Sequence, residues 1–98
     1  MTDRRRDERV PATVPVRFNG AIVGSTRDVS PSGVYMVVDR KVALGESIQF
    51  ALEMEAFREP QCFCCEGVVV RVEGAHRGQG VAVSLQSSRL VPRDQCRC

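Results

Sequence analysis

A chain of 98 residues, 43% of them hydrophobic and 27% charged, has length for one domain with a single core and no more. Its net charge of +2 excludes the broad cationic face of a general nucleic-acid binder. No apolar run approaches the ~18 residues of a membrane span, and the arginine-rich start leads into no signal-peptide core, so a cytoplasmic protein is expected.

Residues 1 to 10 carry Arg4, Arg5, Arg6 and Arg9 among Asp3, Asp7 and Glu8 without hydropathic periodicity. They read as a flexible, charge-balanced arm. Pro11 and Pro15 then impose extended backbone. Val14, Val16 and Phe18 alternate with Pro15, Arg17 and Asn19 as a half-buried strand, and Asn19-Gly20 is a type I′ hairpin signal.

The returning strand spans about Ala21 to Val29 and delivers Asp28 and Ser30 to its end. Pro31 suits the second position of a type I turn that starts at Ser30, and Gly33 suits the fourth. Val34 to Val38 is the next strand. After the polar break Asp39-Arg40-Lys41 and a turn at Leu44-Gly45, Ile48, Phe50, Leu52 and Met54 alternate with Gln49, Ala51, Glu53 and Glu55. That pattern predicts an antiparallel strand with one wet face.

Residues 56 to 61, with Pro60, read as a connection, and Cys62 to Val72 as a long strand bulged at Gly67. A loop over residues 74 to 78 precedes a last strand carrying Val81, Val83 and Leu85. A short helical turn is placed at Ser87 to Leu90, with a frayed tail from Arg93 to Cys98. Six strand-like runs without an amphipathic helix predict an all-β fold, a six-stranded antiparallel barrel whose closure removes exposed edges. The expected division is an arm over 1–10, a barrel over 11–86 and a turn and tail over 87–98.

Two stretches carry the candidate chemistry. Arg5 and Arg9 form Arg-x-x-x-Arg, and Asp28, Ser30 and Gly33 form Asp-x-Ser-x-x-Gly. Guanidinium groups fork onto phosphate oxygens and stack on bases, while a fixed carboxylate accepts from the N–H edge of guanine. Together they predict a clamp for a guanine nucleotide. Ordinary explanations exist for each part: a solvated arginine tail, an aspartate capping its own turn, a glycine demanded by backbone geometry. None of these accounts for all five positions in this order.

The two motifs, one hairpin apart, together with the strands at Gly33 to Val38, Gly67 to Val72 and Gly78 to Val83, resemble the PilZ domain, the bacterial receptor family for cyclic di-GMP. The likeness covers roughly residues 4 to 86. It implies that Arg5 and Arg9 bind phosphate and guanine, that Asp28 and Ser30 fix a guanine, and that Gly33 keeps the turn tight. Arg4, at the family's variable position, is expected to favour a stacked pair of ligand molecules. Ligand binding would order the arm into a surface that a separate effector protein reads. The alternative is a PilZ-fold protein-interaction module that binds no nucleotide.

No enzyme is expected. His76 stands alone in a glycine-flanked loop, and no cysteine can be paired with it from spacing. Cys62, Cys64, Cys65, Cys96 and Cys98 lack the paired Cys-x-x-Cys knuckle of a zinc site, so they read as reduced thiols with no metal or cofactor assigned. Tyr35 is the only tyrosine, too few stacking aromatics for a single-stranded nucleic-acid surface.

Overall fold

The structure, a computed structural model, describes residues 10–56, 59–74 and 78–96. Seven strands follow in chain order: β1 Val10–Pro11, β2 Pro15–Phe18, β3 Ala21–Ser30, β4 Gly33–Val38, β5 Ser47–Ala56, β6 Glu59–Glu73 and β7 Gln79–Pro92. They pair in the order β1-β3-β2-β5-β6-β7-β4, and a further β3–β4 pairing brings the sheet round on itself. The six strands β2 to β7 make a closed antiparallel barrel, as the alternation and the turn spacing predict.

Local chemistry explains the joints. Asn19 at φ 50° and Gly20 at φ 85° occupy the left-handed region that a type I′ turn requires, and Phe18 pairs with Ala21 across it. Inward-facing Val16, Val34, Met36, Val38, Phe50, Leu52, Val69, Val81 and Val83 are buried and form one core. Phe18 tilts onto Phe50 with ring centroids 6.3 Å apart. At Gly67, where β6 is bulged as its glycine predicts, an added Cβ would collide with the Ser84 carbonyl oxygen and press on Val83 Cγ1 at 2.7 Å. Only glycine lets β7 approach so closely there.

β1 and β2 lie end to end along one edge of β3. Between them, fully buried Thr26 acts as a pin: its Oγ1 accepts from the Val14 N–H at 3.0 Å and donates to the Ala12 carbonyl at 2.5 Å. Pro11 and Pro15 bracket this segment, so side-chain bonds replace part of an ordinary ladder. Thr26→Val keeps the volume but strands both backbone groups. It is expected to cost about 1–3 kcal/mol, seen as a lower urea midpoint at unchanged denaturant slope.

Three expectations need correcting. The outer face of β5 is not uniformly wet, because Ala51 is fully buried and the Glu53 side chain is only 13% exposed. Residues 59 to 61 belong to β6 rather than to a connection. Pro60 is tolerated because only β5 flanks it, through Glu55, while β7 joins β6 from Gln61 onward. Finally, residues 87 to 90 are strand, paired from Glu66↔Ser87 to Phe63↔Leu90, and the helical turn comes later, as a 3-10 turn at Arg93–Gln95 just past Pro92. Cross-strand pairing to a long β6 overrides the local preference of a Ser-Ser-Arg segment.

Candidate functional site

Asp28 reaches the outer surface through an irregularity in β3. Thr26 pairs with Met36 and Asp28 with Tyr35, so Arg27 is an extra residue that shifts the register. Thr26 is buried and Val29 packs against the core, while Arg27 is exposed and Asp28 half-buried between them. Strict alternation would have turned Asp28 inward with Thr26; the bulge sets it on the outer side. Its neighbours across the ladder are Pro11 on β1 and Tyr35 on β4.

The turn after Asp28 is held by a side chain. Ser30, 7% exposed, accepts the Gly33 N–H at 3.1 Å and donates to the Gly33 carbonyl at 3.2 Å through the same hydroxyl. Pro31 and Ser32 lie at the tip and Ser30 pairs with Gly33, as the turn chemistry predicts. Gly33 itself runs against β7, where an added Cβ would sit 3.1 Å from the Val83 carbonyl oxygen. The backbone here has little room for change.

Beside the turn lies a row of side chains that the sequence reading did not single out. Tyr35, Ala82 and Arg71 are cross-strand neighbours on β4, β7 and β6, and the Arg71 guanidinium carbon stands 5.6 Å from the centre of the Tyr35 ring. The Tyr35 hydroxyl donates to Glu73 Oε1 at 2.9 Å, and Arg71 Nε is 3.1 Å from Glu73 Oε2. That hydrogen bond, aided by desolvation, raises the tyrosine pKa above its ordinary value. Gly80 makes the arrangement possible, since a Cβ there would collide with the Tyr35 hydroxyl. A groove of about 350 Å³ runs from Ser32 and Gly33 past Tyr35 to Val70, Arg71 and Ser84. Its walls offer a flat cation and three hydroxyls, those of Ser32, Tyr35 and Ser84, next to the motif turn.

The structure therefore gathers Asp28, Ser30 and Gly33 at one corner. Arg4, Arg5 and Arg9 lie outside the described residues, as do His76 and Cys98. The chain enters the described region at Val10, which pairs with Val29, between Asp28 and Ser30. Cys65 is part of the core, whereas Cys62 and Cys64 meet Cys96 on the outer side of β6. Among the described residues no group of three or more His, Cys, Asp or Glu is arranged to hold a metal ion.

The PilZ domain family matches this chain over residues 3–96. Among solved structures, the Bacillus subtilis inhibitor of motility, MotI/DgrA, aligns with a TM-score of 0.69 and 16% identity, covering 90% of this chain and 44% of that one. At that identity the likeness is one of fold, and this chain spans less than half of its neighbour's length. No curated protein matches the chain.

Proposed function

The chain belongs to the PilZ domain family, and from that premise we propose that it is a cyclic di-GMP receptor that passes its signal to an effector protein. The observation that carries this reading is the pairing of Val10 with Val29 and of Pro11 with Asp28. Consecutive Cα atoms are about 3.8 Å apart, so Arg9 starts one residue from a pair that flanks the Asp28 corner. The arm is rooted beside its partner motif.

Cyclic di-GMP carries two phosphate charges and two guanines. Arg5 and Arg9 supply forked donors to phosphate and to the O6/N7 edge of guanine, with Arg4 adding a third cation suited to a stacked ligand pair. Asp28 accepts from a guanine N–H edge, and Ser30 and Gly33 hold the corner that presents it. The groove lined by Arg71 extends the same surface and offers a guanidinium face to a base. On binding, the arm takes a fixed place against β3, and arm and ligand together form the surface that the effector reads. The activity is recognition, with no catalytic step, and the working compartment is the cytoplasm. No helix among the described residues is long and apolar enough to cross a membrane.

Titration calorimetry of the purified chain with cyclic di-GMP, with GTP and cyclic GMP as controls, tests the reading. Saturable heat with cyclic di-GMP alone is the expected result. Only heat of dilution at millimolar ligand would leave an interaction module of the same fold that binds no nucleotide. Asp28→Ala is expected to weaken binding by about 1–3 kcal/mol, the size of a lost hydrogen bond to a charged group. That loss should change little between low and high salt, because the carboxylate reads a base edge rather than a phosphate.

A further inference from the structure

The outer side of β5 and β6 is crossed by the end of the chain. After Pro92 the 3-10 turn carries Arg93 back over β5, where Arg93 Nη2 lies 3.8 Å from Glu53 Oε1. The turn closes with the Cys96 N–H donating to the Arg93 carbonyl at 3.1 Å. Cys96 then rests on β6, its sulfur 3.9 Å from that of Cys64. Cys62, fully buried on the outer side of β6, lies within hydrogen-bonding reach of Cys96 in this strap.

The three thiols under and in the strap differ in their surroundings. Cys62 is fully buried, and desolvation, followed by its hydrogen bond to Cys96, pushes its pKa up to about 11. It is shielded and slow to ionise. Cys64 is half-buried and lines a groove of about 530 Å³ shared with Gln49, Arg89, Val91 and Gln95. Arg89 is its direct cross-strand partner on β7, so a cation stands on the same face as the accessible thiol. A partly exposed sulfur beside an arginine is the setting in which cysteines react.

We propose that Cys64 and Cys96 form a redox modification site, a pair of thiols that hydrogen peroxide converts into an intrachain disulfide and that a dithiol reductant restores by thiol–disulfide exchange. The Cys64 thiolate attacks one peroxide oxygen; an S–O bond forms, the O–O bond breaks, and the departing hydroxide takes a proton to become water. The Cys96 thiolate then attacks the resulting sulfenic sulfur, forming the S–S bond and expelling a second hydroxide, which leaves as water. Two electrons pass from the sulfurs to the peroxide, and two water molecules form per disulfide. Bonding requires the sulfurs to close from 3.9 Å to about 2.05 Å, a movement within the play of two side chains and a terminal turn. The product locks the strap onto β6 and closes a long loop through β7. None of this depends on nucleotide recognition.

The test is to treat the full chain with hydrogen peroxide and map disulfides in an unreduced tryptic digest. Cleavage after Arg58, Arg71, Arg93 and Arg97 isolates residues 59–71 from residues 94–97 and leaves Cys98 by itself. The expected result is a 59–71/94–97 cross-link that dithiothreitol removes. It should vanish in Cys64→Ser and Cys96→Ser and persist in Cys62→Ser and Cys98→Ser. The oxidised wild type should also melt at least about 10 °C higher than the reduced form. A cross-link through Cys62 or Cys98, a bond between two chains, or Cys64 oxidised to sulfinic acid without a partner would overturn the proposal. Far-UV circular dichroism of Cys64→Ser and Cys64→Ala confirms that cross-link loss reports sulfur chemistry and not unfolding.

Discussion

Arg9→Ala is expected to lower the affinity for cyclic di-GMP by about thirty- to a thousand-fold, or about 2–4 kcal/mol, while the melting curve stays where it is. The size follows from the role proposed for the side chain, which would be to make two parallel charge-assisted hydrogen bonds to an anion, part of whose hydration is given up on docking. The specificity of the effect follows from position. Arg9 precedes the first described pairing, Val10 with Val29, and the core that the described residues form is drawn from Val16 to Val83. Removing its head group therefore subtracts from the ligand contacts and leaves the core as it was. Salt provides an internal control: the loss caused by Arg9→Ala should narrow as ionic strength rises and screening weakens the wild-type interaction, unlike the loss from Asp28→Ala. Unchanged affinity in Arg9→Ala would remove the arm from the site, whatever the wild type binds.

How much of this could be read from residues alone depends on how local the determining physics is. The Asn19-Gly20 hairpin, the Ser30 to Gly33 turn and the period-two run from Ile48 to Met54 are each written within a few residues, and all three stand in the structure. The turn residues Ser30, Pro31 and Gly33 were enough to place Asp28, Ser30 and Gly33 on one corner. The bulge at Arg27 was not legible, because nothing in Gly24 to Ser30 distinguishes a residue inserted into a ladder from one in step with it. Its consequence, an outward Asp28, depends on the β4 register. The row of Tyr35, Ala82 and Arg71 was hidden for a related reason: its members come from three strands, and only pairing makes them neighbours. The one sequence signal was Gly80, two residues before Ala82 on β7, bare where the Tyr35 hydroxyl needs the space. The second half of β7 was hidden because Ser87 to Leu90 lacks apolar alternation, and strand partners in β6 decide its conformation.

Phe50→Ala should be the most damaging single substitution for the fold. Phe50 is fully buried at the middle of β5, among the largest of the enclosed side chains, and its ring meets Phe18 from the neighbouring β2. With no Trp and only five aromatics in the chain, the rest of the core is mostly Val with Leu52 and Met36, and side chains already close-packed across the barrel refill the void only in part. Truncation is therefore expected to cost about 3–5 kcal/mol through lost burial and an uncollapsed cavity. A domain of this size has about 5–15 kcal/mol in all, so the variant should sit near the edge of folding, with its midpoint lowered by roughly 15–30 °C. Circular dichroism on heating checks the midpoint and a urea series the free energy, and Phe50→Leu should recover part of the loss because it refills some of the volume. A midpoint shift below a few degrees for Phe50→Ala would mean that the alternate side chains of β5, from Ile48 through Leu52, do not bear on the barrel interior.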